Sequence, residues 1–235
     1  MVKVKYLSKQ QIEWNAEKLL ADFGKSFGVV DQPPVPVEEI LETHLKLTME
    51  FDNLTSRLGF PDVLGALWVP DRLVAIDESL DPSEFRQKEG RYRYTVGHEI
   101  GHWEQHRYYF LTDPNQGDMF PELRKEPSVI CRASQAKEPI EWQADYFSAC
   151  LLMPGPMVVA AWKQHTALSP FLTNSGTYEY WRSMNPKASD ASLSPEIATA
   201  QLARRFQVSK QAMKIRLEAL SLLPQAAGPL FSVTD

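Results

Sequence analysis

Cys131 and Cys150 are the only cysteines among 235 residues. So few exclude the disulfide framework of a small secreted protein, and both are expected to be reduced thiols. Long apolar runs are missing as well: no stretch approaches the ~20 residues that a bilayer-spanning helix requires. The opening "MVKVKYLSKQQIEWNAEKLL" has basic residues but no continuous apolar stretch, so it is not expected to act as a secretion signal. These absences point to a cytoplasmic protein with no membrane partner. Positive charge is not in excess either. A formal net charge of −5 excludes a protein that coats nucleic acid through bulk charge, while leaving room for a local basic patch. There is no internal repeat and no low-complexity tract. What is present, 43% hydrophobic and 23% charged residues, suits a globular chain with one good core and a small appendage.

Hydrophobic periodicity lays out the elements. Ile12, Ala16, Leu19, Leu20 and Phe23 recur at helical steps between Ser8 and Gly28. "DQPPVPVEEILETHL" is a proline loop feeding a short helix from about Val37 to Thr43. "LKLTMEF" alternates apolar and polar residues, as a half-buried strand does. "LGALWVP" and "RLVAIDESL" follow as two strands about a Pro70-Asp71 turn. Asp81-Pro82 has the chemistry of a helix start, and a helix broken near Gly90 is expected to run from there through His106. Residues 111–137 show no clean period and read as a long irregular connection. "EPIEWQADYFSACLLMPGP" is a helix between Pro139 and Pro154, and "MVVAAWKQH" continues as another. The expected class is α+β, with a small, mainly antiparallel sheet packed on the helix that ends at His106. Residues 1–168 form that domain, 169–193 a linker or loop, and 194–235 a helical unit.

Three of the chain's five histidines fall in "TVGHEIGHWEQHRYYF". Within it, "HEIGH" puts His98 and His102 one turn apart on one helix face, where both rings can grip one ion. Glu99 lies about 100° round the helix, beside the metal rather than on it. There a carboxylate can take a proton from an attacking water and hand it to a leaving amine. Zinc suits the pair because it favours imidazole, has no redox chemistry and activates water near neutral pH. Gly97 and Gly101 each precede one of these histidines, at a cost of roughly 1 kcal/mol apiece in a helix interior. Close packing of this helix against the sheet would account for them.

Catalytic zinc takes three protein ligands and leaves one position open. "HExxHxxGxxH" is absent, which excludes the third-histidine pattern of the metzincins. His106 sits about 6 Å further along the axis than His102, awkward for sharing the ion. Glu141 in "EWQAD" is the better third ligand, with Glu138 as a fallback one turn earlier. Asp145 falls one turn beyond Glu141 and can accept the outer N–H of a ligand histidine, His98 first, so fixing its tautomer.

"RYRYTVGHEIGHW" followed by "EWQADYFSACLLMP" resembles the ImmA/IrrE family of zinc metallopeptidases, and "PPVPVEEILETHLKL" is similar to that family's proline-rich entry. The similarity spans roughly residues 33–155. Ser148 stands where the family commonly has alanine, and the insert between the two motif helices is long. The resemblance implies a zincin-like fold, zinc held by His98, His102 and Glu141, and Glu99 as the catalytic base. It also implies a protein substrate, often a helix-turn-helix transcriptional repressor, in stress response or in mobile-element or phage regulation. An oxyanion donor is also needed, with His165, His106 and several tyrosines as candidates. Peptide substrates commonly add to a free sheet edge, and "LGALWVP", with Leu67 and Trp68, is the expected edge.

In "SPEIATAQLARRFQVSKQAMKIRLEALSLL", Ser194 and Ser209 are expected helix caps, "QVS" a tight turn, and Ile197, Leu202, Phe206, Ala212, Ile215, Leu217 and Leu220 the inward face. The pattern resembles a helix-turn-helix. DNA binding through residues 194–223 is one reading, with Lys210, Gln211 and Lys214 placed to meet bases; a packing or protein-docking unit is the preferred one. The leading function is therefore a zinc-dependent endopeptidase acting on a protein partner. The alternative is a non-catalytic, zinc-stabilised regulator that binds DNA or a repressor. A closed structural zinc site fits poorly, because such sites use four Cys or His ligands and the thiols here are few.

Overall fold

Helix α1 (Lys9–Phe27) starts where the Ser8 hydroxyl accepts the Gln11 N–H while the Gln11 side chain accepts the Ser8 N–H, a reciprocal capping box. It ends at Gly28, whose φ of 103° favours glycine. Ile12, Ala16, Leu19, Leu20 and Phe23 are its buried residues, as their spacing predicts. The computed structural model describes residues 4–111, 126–132, 138–166 and 195–223. The expected linker at 169–193 and the Ser194 cap lie outside them. By its contacts the chain forms two units, Met1–Pro154 and Gly155–Asp235.

The first unit is α+β. After α1 come α2 (Val37–Glu39), running on into a wider turn over Ile40–His44, then β1 (Thr48–Asp52), α3 (Leu54–Leu58), β2 (Val63–Trp68) and β3 (Leu73–Asp77). Helix α4 (Glu89–His106), strand β4 (Val129–Arg132) and helix α5 (Pro139–Leu152) complete it. The strand order is β1-β3-β2-β4. β2 pairs antiparallel with β3 and β4, whereas β1 runs parallel to β3, so the sheet is mixed.

Three expectations need correction. The edge is not β2: that strand lies between β3 and β4, with Leu67 and Trp68 in the core, and among the described residues the edges are β1 and β4. Strand order depends on long-range pairing, whereas the dense apolar run of "LGALW" is what a strand covered on both faces requires. The 111–137 connection contains a strand, β4, too short for period-2 alternation to show. Finally, Asp81 does not cap the long helix. Its carboxylate accepts from the backbone and hydroxyl of Ser83, its carbonyl accepts the Phe85 N–H, and a 3-10 turn at Arg86–Lys88 precedes α4. Gly90 therefore lies in the first turn of α4, and the helix has no break there.

In the second unit, α6 (Gly155–Thr166) packs on α7 (Pro195–Phe206), and α7 on α8 (Lys210–Ala219). Gln207 turns the chain at φ 53°, the Val208 N–H bonds the Ala203 carbonyl, and Ser209 caps α8 by accepting the Ala212 N–H. Leu202, Phe206, Met213 and Leu217 are fully buried. Ile197 and Ile215, expected inside, are 36% and 54% exposed. Met213 and Leu217 set the inner stripe of α8, and Ile215, two residues from each, falls about 200° away. Among the described residues no single helix is long and apolar enough to cross a membrane.

Candidate metal centre

Helices α4 and α5 meet more closely than side chains on both would allow. A Cβ at Gly97 would sit 2.6 Å from Ser148 Oγ, and one at Gly101 would sit 3.0 Å from both the Ala144 Cα and its carbonyl oxygen. The two glycines thus answer to α5, not to the sheet as expected. Ser148 adds to the contact by donating its hydroxyl to the Tyr94 carbonyl at 2.8 Å. This approach carries the helical spacing of each sequence into one cluster. His98 Nε2 lies 2.9 Å from His102 Nε2 and 3.2 Å from Glu141 Oε2, and His102 Nε2 lies 3.4 Å from Glu141 Oε1. All three residues are buried, and their ligand atoms lie within 4.8 Å of one another. They could hold a metal ion.

The outer ring nitrogens explain why a cation belongs there. His98 Nδ1 is 2.9 Å from Asp145 Oδ1, and a carboxylate accepts only, so Nδ1 carries the proton. His102 is fixed by a longer chain. The Gln143 amide N–H donates to the Lys5 carbonyl at 3.1 Å, which leaves its Oε1 to accept from His106 Nε2 at 3.3 Å. His106 Nδ1 is then an acceptor, and it takes the proton of His102 Nδ1 at 3.1 Å. Both Nε2 atoms accordingly aim lone pairs at each other, beside a carboxylate. Only a proton or a metal ion between them satisfies that arrangement.

The electrostatics agree. Burial opposes charge on His98, but Cys131, Asp145 and Glu141 around it prevail and push its pKa well above the usual imidazole value. Burial and the neighbouring His98 lower His102, and burial with His102 takes His106 down to about 3. Burial would raise Glu141, yet its hydrogen bonds with His102 and His98 bring it down to about 2. A metal ion would displace the proton from His98 and find an ionised carboxylate waiting.

Glu99 lies beside this cluster, between His98 and the sheet. A Cβ on Gly65 of β2 would clash with Glu99 Oε1, so the missing side chain is what admits the carboxyl. Glu99 is fully buried and neither oxygen has a hydrogen-bond partner. Burial raises its pKa to about 8, against the pull of His98. Across the sheet from Gly65 stands Cys131 of β4. Its ligand atom lies within 4.8 Å of those of His98 and Glu99. Burial pushes its thiol pKa up, so this sulfur is not an activated nucleophile by itself.

The structure therefore brings together His98, Glu99, His102, Glu141 and Asp145. Glu138 is the N-cap residue of α5 and joins neither metal-holding group found among the described residues. His106 is engaged with His102 and Gln143 and does not point an N–H at an oxyanion position. The side chain of His165 lies outside the described residues. Two participants escaped the sequence reading. Gln143 looked like one polar residue among many, and Cys131 sat in an unpatterned segment, yet its thiol lies at the site. Neither cysteine is in a disulfide. No family model matches the chain, and no curated protein does.

Proposed function

We propose that the chain is a zinc-dependent endopeptidase of the ImmA/IrrE type, with a zincin-like fold, that cuts a protein partner. The observation that carries this reading is Glu99: a fully buried carboxyl without a hydrogen-bond partner, next to three converging metal ligands. An orphaned buried carboxyl costs stability, and metal retention does not need it. A water and a scissile amide beside it would give it partners.

Two imidazoles and one buried carboxylate fit zinc, which, held by His98, His102 and Glu141, would supply Lewis acidity and make water nucleophilic near neutral pH. Asp145 orients His98, and the Gln143–His106 relay orients His102. Glu99 accepts the proton of the attacking water and passes it to the leaving amine; its pKa near neutrality suits both transfers. β4, whose only strand partner among the described residues is β2, is the edge that can receive an extended peptide, in place of the β2 edge expected earlier.

The motif resemblance supports a helix-turn-helix repressor as the partner and a cytoplasmic site of action. For the α7–α8 unit we favour protein docking over DNA binding. Arg216 is buried and Lys214 lies 3.9 Å from Glu218, which reduces the positive charge that α8 offers to phosphates. The test is co-expression of the wild-type chain or Glu99→Gln with each member of a panel of helix-turn-helix repressors. Cleavage by the wild type alone, with equal zinc in both proteins, is expected. Full cleavage by Glu99→Gln would overturn the assignment.

A further inference from the structure

We infer that Cys131 is a fourth protein ligand: in the resting protein its thiolate, delivered by edge strand β4, occupies the position that the attacking water needs. This deepens the metal reading above and rests on it.

The backbone sets the direction of the sulfur. Cys131 pairs with Gly65 across the β2–β4 ladder, and directly opposed residues project from the same face of a sheet. At Gly65 that face meets Glu99 and Thr95 of α4. The Cys131 side chain therefore points at the metal helix, and its ligand atom lies within 4.8 Å of those of His98 and Glu99. A second observation points to a ligand in the same space: the Glu99 carboxyl, fully buried, has both oxygens unpartnered.

His98 belongs to two ligand groups, one with His102 and Glu141, the other with Glu99 and Cys131. Two separate ions are not compatible with that, because Asp145 occupies His98 Nδ1 and leaves only Nε2 for a metal. His98 can then hold a single ion, and Cys131, in ligand range of His98, is the fourth donor we assign to it beside His102 and Glu141; two imidazoles, one carboxylate and one thiolate are a donor set that zinc accepts. The step involves no redox change. The S–H bond breaks, a sulfur–metal bond forms, water leaves, and the proton goes to solvent. Opening is the reverse: the proton returns to sulfur and water re-enters as β4 shifts to receive a peptide.

Cobalt(II) reports this directly, because a bound thiolate gives a sulfur-to-cobalt charge-transfer band in the near ultraviolet that imidazole and carboxylate do not give. The full chain is stripped with a chelator and reloaded with cobalt. Stoichiometric cobalt with the band is expected in the wild type and in Cys150→Ser, whose thiol belongs to neither ligand group. Loss of the band with stoichiometric cobalt retained is expected in Cys131→Ser and Cys131→Ala. Wild-type protein that binds cobalt without the band, or a band that survives in Cys131→Ser, overturns the thiol ligand and leaves the three-ligand site standing. Wild-type protein that binds no cobalt overturns both.

Discussion

Replacing Glu99 with glutamine should make the metal-free protein more stable, and increasingly so as the pH rises. Glu99 is fully buried without a partner, and its pKa goes from an ordinary 4.5 to about 8 in the fold. Below pH 4.5 it is protonated in the folded and unfolded chains alike, and its ionisation costs nothing. Between 4.5 and 8 the unfolded chain releases the proton while the folded chain keeps it, so stability falls by ~1.4 kcal/mol per pH unit. At pH 7 the loss amounts to roughly 3 kcal/mol, and above pH 8 it levels near ~5 kcal/mol. Glutamine has the same shape and does not ionise. Urea unfolding of chelator-treated wild type and Glu99→Gln, at a series of pH values from 4.5 to 8.5, gives the difference directly. The gap should be smallest at the acid end and widen toward pH 8. A gap that stays flat, or a glutamine variant that is the less stable one at pH 8, would refute the placement of an uncompensated carboxyl in this interior.

Other perturbations separate the remaining parts. Glu141→Ala should lose zinc in metal analysis of the purified protein, whereas Glu138→Ala should keep it. Gln143→Leu removes the acceptor that holds His106, and so frees the tautomer of His102; zinc affinity in a chelator competition should fall roughly 10–100-fold, although Gln143 itself touches no metal. Gly101→Ala improves helix propensity yet puts a methyl 3.0 Å from the Ala144 backbone; thermal unfolding should show a net loss of roughly 1–2 kcal/mol instead of the usual gain.

Much of the site was legible because helices convert spacing into proximity without help from the rest of the fold. His98 and His102 at four residues, and Glu141 and Asp145 at four residues, each define a face, and the two faces meet in the structure. Caps and periodicity likewise located α1, α5 and α8, since Ser8, Pro139 and Ser209 act on backbone groups within one turn. What was missed depends on partners far along the chain. Gln143 acquires its orientation from the Lys5 carbonyl, 138 residues away in sequence, and no local pattern marks that bond. Cys131 reaches the site only because β4 pairs with β2, and a four-residue strand carries too few side chains to announce its face. The β2 edge expectation failed for the same reason: which strand ends up outermost is a property of the pairing, not of the strand.

The geometry also assigns a purpose to three positions that have no side chain at all. Helix α4 carries His98, His102 and His106 along the face that meets α5, while Glu99, one residue on and about 100° round, meets the sheet. Gly97 and Gly101 let α5 come close enough for Glu141 and Asp145 to reach the histidines; Gly65 lets β2 come close enough to bury Glu99. A face that could hold a metal and a face that carries the proposed base are thus set by separate neighbours of one helix. The first can keep its ion when the second is damaged, which is why loss of cleavage with retained zinc is a meaningful outcome for Glu99→Gln. The two faces meet at His98, whose ligand atom lies within 4.8 Å of those of Glu99 and of Cys131 on β4. On the proposed reading, a sulfur at that junction would meet metal and base together, and one ligand from the sheet would silence both.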